Sequence, residues 1–98
     1  MDKYFDGIHI EWDDNKNDIN KRKHGISFES AGWVFSDEAR LEFYDELHSI
    51  DEDRYITIGK VDDVLFVVFT ERDDGETVRL ISARLATTKE RRLYYGNA

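Results

Sequence analysis

The chain contains neither cysteine nor proline among its 98 residues. Without cysteine, neither a disulfide nor a thiolate zinc site can hold the fold. Without proline, and with no repeat or biased segment, nothing marks a linker, so residues 1–98 are expected to form a single domain. No apolar run approaches the roughly 18 residues of a membrane span. The longest, Val64 to Phe69, is strand-sized. The opening Met1-Asp2-Lys3-Tyr4-Phe5 has no apolar core of a secretory signal, which with the missing thiols leads us to expect a cytoplasmic protein. His9, His24 and His48 are scattered, and the carboxylates at Asp51-Glu52-Asp53 and Asp73-Asp74 lack the spacing of a calcium loop. No metal or other cofactor is therefore expected. The serines have no nucleophile-elbow context, and there is no glycine-rich phosphate loop.

What the chain has in abundance is charge. Its net charge of −8 opposes a polyanionic partner at first sight. The distribution is a mosaic, however. From Asp37 to Asp53 there are eight carboxylates and one arginine, Arg40. From Thr77 onward five cations stand against one carboxylate, Glu90, a net of +4, and Lys21-Arg22-Lys23-His24 forms a second basic patch. The local potential near a phosphate can thus be positive on an acidic protein.

Periodicity predicts an α+β domain. Ile8 to Trp12 alternates as a short strand. Asp13 then suits an N-cap and Gly25 a left-handed stop, bracketing a helix whose single apolar residue, Ile19, obliges it to lean on tertiary contacts. Ser27 caps a second helix with Phe28, Ala31, Gly32 and Phe35 in one stripe. An antiparallel meander follows: a strand from Leu41, one over 54–60, one over 64–72, and one over 77–84 after the Asp74-Gly75 turn. The run 64–69 does not alternate, which predicts a strand covered on both faces. Thr87 and Glu90 have the spacing of a capping box for a short C-terminal helix.

Within this frame Arg72, Arg79 and Arg84 fall on or beside two paired strands. Two readings stand side by side: ion pairs with Glu71, Glu76 or Glu90, or a phosphate-binding cluster. In a regular strand Arg79 and Arg84 point to opposite faces, so convergence requires a bulge or an Arg84 beyond the strand end. Lys23-His24 suits general acid–base work and equally suits a helix C-terminus. Glu52 with Arg54 could be a salt bridge, and Glu90 with Tyr94 a helix-face pair at i, i+4.

The ordered strings Trp12-Asp13, Asn20-x-x-Lys23-His24-Gly25, Ser27-Phe28-Glu29, Glu52-Asp53-Arg54-Tyr55, Thr70-Glu71-Arg72 and Arg79-x-Ile81-Ser82-Ala83-Arg84 resemble the BrnT family, toxins of bacterial BrnT–BrnA toxin–antitoxin pairs. Glu90-Arg91 and Tyr94 complete the resemblance, which runs from Trp12 to Tyr94. It implies a RelE-like fold and RNA cleavage that inhibits translation. It also implies neutralisation by a BrnA-like antitoxin with a ribbon-helix-helix DNA-binding domain, in a heterotetramer that represses its own operon and touches DNA only through the antitoxin. No membrane partner is implied.

Read with the resemblance, Arg72, Arg79 and Arg84 are expected to bind phosphate and the transition state, with Lys23 or His24 as acid or base. Glu52 and Arg54 join the catalytic candidates, and Glu90, Arg91 and Tyr94 are candidates for RNA contact. The alternative is a toxin-like binding module without catalysis. Direct DNA binding fits poorly, because the basic residues lie on several elements rather than along one helix.

Overall fold

The computed structural model describes residues 1–96. Six strands form one sheet in the order β1-β2-β6-β5-β4-β3. β1 (Asp2–Phe5) and β2 (Ile8–Glu11) form an N-terminal hairpin. Its turn residues Asp6 and Gly7 both have positive φ, at 49° and 84°, as a tight hairpin requires. The chain then enters α1 (Asp14–His24), α2 (Phe28–Ala31) and a 3-10 turn, Gly32–Ser36. β3 (Leu41–Tyr44), β4 (Tyr55–Val61), β5 (Asp63–Arg72) and β6 (Thr77–Leu85) make the antiparallel meander, and α3 (Thr88–Gly96) ends the described chain.

The expected helix starts are all present, as is the expected stop of the first helix. Asp13 accepts from Lys16 N at 3.0 Å, and Gly25 stands at φ 72°. The Ser27 hydroxyl accepts from Ser30 N. Thr87 and Glu90 cap each other reciprocally, at 2.8 and 3.2 Å. Two features lay outside the sequence reading. β1 is an extra strand, and β2 pairs parallel to β6, placing His9, Ile10 and Glu11 beside Thr77, Val78 and Arg79.

The second helix also departs from expectation. Its stripe is buried, but the regular helix stops after Ala31 and tightens into the 3-10 turn. Gly32 lies so close to the Phe5 ring that a Cβ there would meet it at 2.5–2.8 Å.

One face of the sheet carries the core. Ile10, Val67, Phe69, Leu80 and Ala83 are buried against Phe28, Ala31, Val34 and Phe35. Phe35 meets Phe69 edge-on at 5.0 Å. α1 is held by amides rather than by apolar contact, since Ile19 is exposed while Asn17 and Asn20 are buried. Asn20 donates to the carbonyls of Ile26 and Ala83 at 2.9 and 2.8 Å and accepts from Ala83 N at 3.1 Å. Asn17 accepts from Phe28 N and donates to Glu29. These bonds clamp the helix to the stretch of β6 that extends past β2.

The expectation that residues 64–69 are covered on both faces needs correction. Leu65, Val67 and Phe69 are buried, but Phe66 and Val68 on the other face are only half-buried. Among the described residues no helix lies along the whole of that second face.

Candidate functional site

The open face is built by register. In β5, Phe66, Val68, Thr70 and Arg72 share the side opposite Val67 and Phe69. Phe69 pairs with Leu80 but Val68 with Ser82, so Ile81 is an extra residue in β6. This bulge reverses the alternation between Arg79 and Arg84. Arg79 pairs with Thr70 and Arg84 with Phe66, which puts both guanidinium groups on the open face. Their partners are four residues apart on β5, a span of roughly 13 Å. Arg72 joins them on the same face of β5.

Each of these arginines has a carboxylate neighbour. Arg79 hydrogen-bonds Glu11, its partner across the parallel pair, and both are 29% exposed. Arg84 forms a fork onto Glu90 at 2.8 and 3.0 Å and stacks over Phe66, with its guanidinium carbon 3.9 Å from the ring centroid. Arg72 reaches Glu52 at 3.3 Å. Arg54, just ahead of β4, has no ion pair, and its Nε is buried without a hydrogen-bond partner among the described residues. It lines a small pocket with His48, Ile50, Asp51 and Glu52. The structure thus joins Glu52 to Arg72 rather than to Arg54.

The remaining sequence candidates lie apart from this face. Lys23 is exposed and His24 half-buried at the end of α1. Neither bonds to any of the arginines among the described residues. Their nearest tie is Asn20, clamped to Ala83, with His24 one turn beyond it at about 6 Å along the helix. Arg91 is exposed, with its guanidinium 5.9 Å from the Tyr95 ring centroid. The Tyr94 hydroxyl donates to Asp37 Oδ2 at 2.6 Å, so it docks α3.

Asp37 is the joint of this corner. Its Oδ2 also accepts from Lys60 N at 2.8 Å, and its Oδ1 accepts from Ala39 N at 3.0 Å. Desolvation pushes the Asp37 carboxyl upward, but the donors from Tyr94, Lys60 and Ala39 outweigh it and leave the group below its ordinary range. The hydrogen bond to Asp37, then desolvation, raise Tyr94 to about 12. The Arg84 fork lowers Glu90 against the opposing effect of burial, with the Thr87 backbone assisting.

A pH window for α3 docking follows. Tyr94 is raised, so its contribution is full below the ordinary tyrosine value of about 10 and is lost as pH climbs through about 12. Asp37 and Glu90 are lowered, so theirs is full above the ordinary carboxyl value of about 4 and is lost as pH falls further. Tyr94→Phe should cost about 1–2 kcal/mol in mid-range. Urea unfolding of both proteins across pH should show that gap narrowing at each extreme. A gap constant into strong alkali would deny the Asp37 bond its role.

Sequence reasoning missed two ionisable residues here, His9 and Glu11. They share the open side of β2, with Ile10 and Trp12 buried on the other. Alternation alone puts them on one face, but only the parallel pairing with β6 sets them beside Thr77 and Arg79. His9 Nδ1 lies 2.9 Å from Thr77 Oγ1 and Nε2 lies 2.8 Å from Asp2 Oδ2.

An open sheet face with guanidinium groups, carboxylates and a histidine can hold a phosphodiester and move protons around it. The half-buried Phe66 and Val68 offer apolar surface to a base. Comparison with known proteins agrees with this chemistry. A family model described as the ribonuclease toxin BrnT of type II toxin–antitoxin systems matches residues 12–90. No curated protein matches the chain.

Proposed function

Since this chain belongs to the BrnT family of type II toxin–antitoxin ribonuclease toxins, we propose that it is a metal-independent endoribonuclease whose open sheet face takes RNA. The carrying observation is the bulge at Ile81, through which Arg79 and Arg84 share one face with Arg72. Metal-free cleavage uses the RNA's own 2′-hydroxyl. Its oxygen attacks the phosphorus, the bond to the 5′-oxygen breaks, and the products are a 2′,3′-cyclic phosphate and a 5′-hydroxyl. Arg72 and Arg79 bear on the charge that grows on the phosphorane, which is usually the largest catalytic term. Arg84 adds a cation for a flanking phosphate, and Arg54 adds one with no carboxylate partner among the described residues.

The same reading gives the chain a RelE-like fold and a cytoplasmic setting in which its cleavage stops translation. It further gives the chain a BrnA-like antitoxin, whose ribbon-helix-helix domain carries a heterotetramer to the operon. Family membership supports these points. The acidic stretch around β3 offers a complementary surface to a basic partner.

One observation favours a second reading, a binding module without catalysis: Arg72, Arg79 and Arg84 are each already neutralised by a glutamate. Inducible expression in a bacterial host separates the two. Growth arrest with RNA decay is expected from wild type and not from soluble Arg79→Ala. Normal growth with intact RNA, from soluble wild-type protein, would make the binding module the better account.

A further inference from the structure

We propose that Glu11 and His9 are the general base and general acid of the cleavage, flanking the phosphate held by Arg79. This rests on the ribonuclease reading above. Three observations carry it. First, Glu11 is in direct contact with Arg79, on the open face and part-exposed. A carboxylate whose guanidinium partner turns to the phosphate is left beside the substrate, free to accept a proton. Second, His9 is two residues along the same strand on the same face, roughly 7 Å away by Cα. That spacing lets the two side chains address opposite sides of one phosphorus, as in-line displacement demands.

Third, the hydrogen-bond inventory around His9 suits an acid. The Thr77 hydroxyl donates to Asp73 Oδ2 at 3.0 Å, so toward His9 it is an acceptor. Asp2, whose carboxyl is lowered chiefly by its His9 hydrogen bond, accepts at the other ring nitrogen. Both ring N–H groups of an imidazolium are thereby satisfied, and that is the form a general acid needs. Asp2 is itself largely exposed, so it can yield Nε2 to the leaving oxygen.

The step balances within the dyad. Glu11 removes the 2′-hydroxyl proton as that oxygen bonds to phosphorus. His9 gives its Nε2 proton to the 5′-oxygen as the P–O bond breaks. The charged and titratable groups facing the pair are Asp2 and Tyr4 from β1, Arg79 from β6, Asp73 from the turn before β6 by way of Thr77, and Asp13, which lies in the field of Arg79.

The test is cleavage of a single-stranded oligoribonucleotide by the full chain, with pH profiles of kcat and kcat/KM for wild type, Glu11→Gln, His9→Gln and Arg79→Ala. Folding is checked by thermal melts. Wild type should show a bell-shaped profile. Glu11→Gln should lose about 10²–10⁴ in kcat with KM little changed and should lack the acidic limb, while His9→Gln should lack the alkaline limb. If Glu11→Gln folds but keeps the wild-type rate and limb, or cleaves faster because Arg79 is freed, the dyad is overturned while the ribonuclease reading survives. If Glu11→Gln does not fold, Glu11→Asp takes its place: its carboxylate, one methylene shorter, should keep the acidic limb at a clearly lowered kcat, and an undiminished kcat from that variant overturns the dyad. A wild type that cuts no RNA overturns both.

Discussion

Asn20→Ala is expected to remove about 3–5 kcal/mol of folding stability, a large part of the total for a domain of this size. The reason is the number of groups that depend on one amide. Losing it strands the Ala83 N–H, the Ala83 carbonyl and the Ile26 carbonyl at a site only 5% exposed. Each orphaned buried group costs about 1–3 kcal/mol. α1 has no apolar face to fall back on. Urea unfolding reads the effect directly, as a fall in midpoint with an unchanged slope. A loss below about 1 kcal/mol would mean that water takes over the amide's bonds.

Arg79→Ala should lower RNA cleavage by about 10²–10³-fold, as loss of a preorganised phosphate donor does. Arg79 shares the open face with Arg84 because Ile81 is an extra residue between them. Deleting Ile81, by contrast, leaves the two arginines four apart in a regular strand and so still on one face, with Arg84 kept over Phe66 and on the Glu90 fork, and should spare cleavage. Cleavage assays with a thermal melt on the same sample check both. Full activity in a stable Arg79→Ala variant would remove Arg79 from the phosphate site.

The sequence was legible wherever cause and effect lie within a few residues. Asp13 with Lys16, Ser27 with Ser30 and Thr87 with Glu90 are pairs three apart, and their residue types announce the caps. Spacing also showed that Arg79 and Arg84 need a bulge to converge, though nothing in Leu80-Ile81-Ser82 marks its place. Longer-range features stayed hidden. Glu11 and Arg79 are 68 residues apart and meet only because β2 lies parallel to β6. Asn20 stood out as a position in a string, but its role depends on the edge of β6 that β2 leaves unpaired beyond Arg79. The half-exposure of Phe66 and Val68 was hidden because their hydrophobicity matches that of their buried neighbours.

That parallel pairing also sets an order of assembly. The ribosome makes Glu11 68 residues ahead of Arg79. A growing chain can pair the early hairpin locally, yet Glu11 has no Arg79, and Asn20 no Ala83 to clamp α1, until β6 is made. Late closure of a long loop is slow compared with local contacts. In the ribonuclease proposed above, the phosphate site is therefore incomplete for as long as β6 has yet to close the sheet.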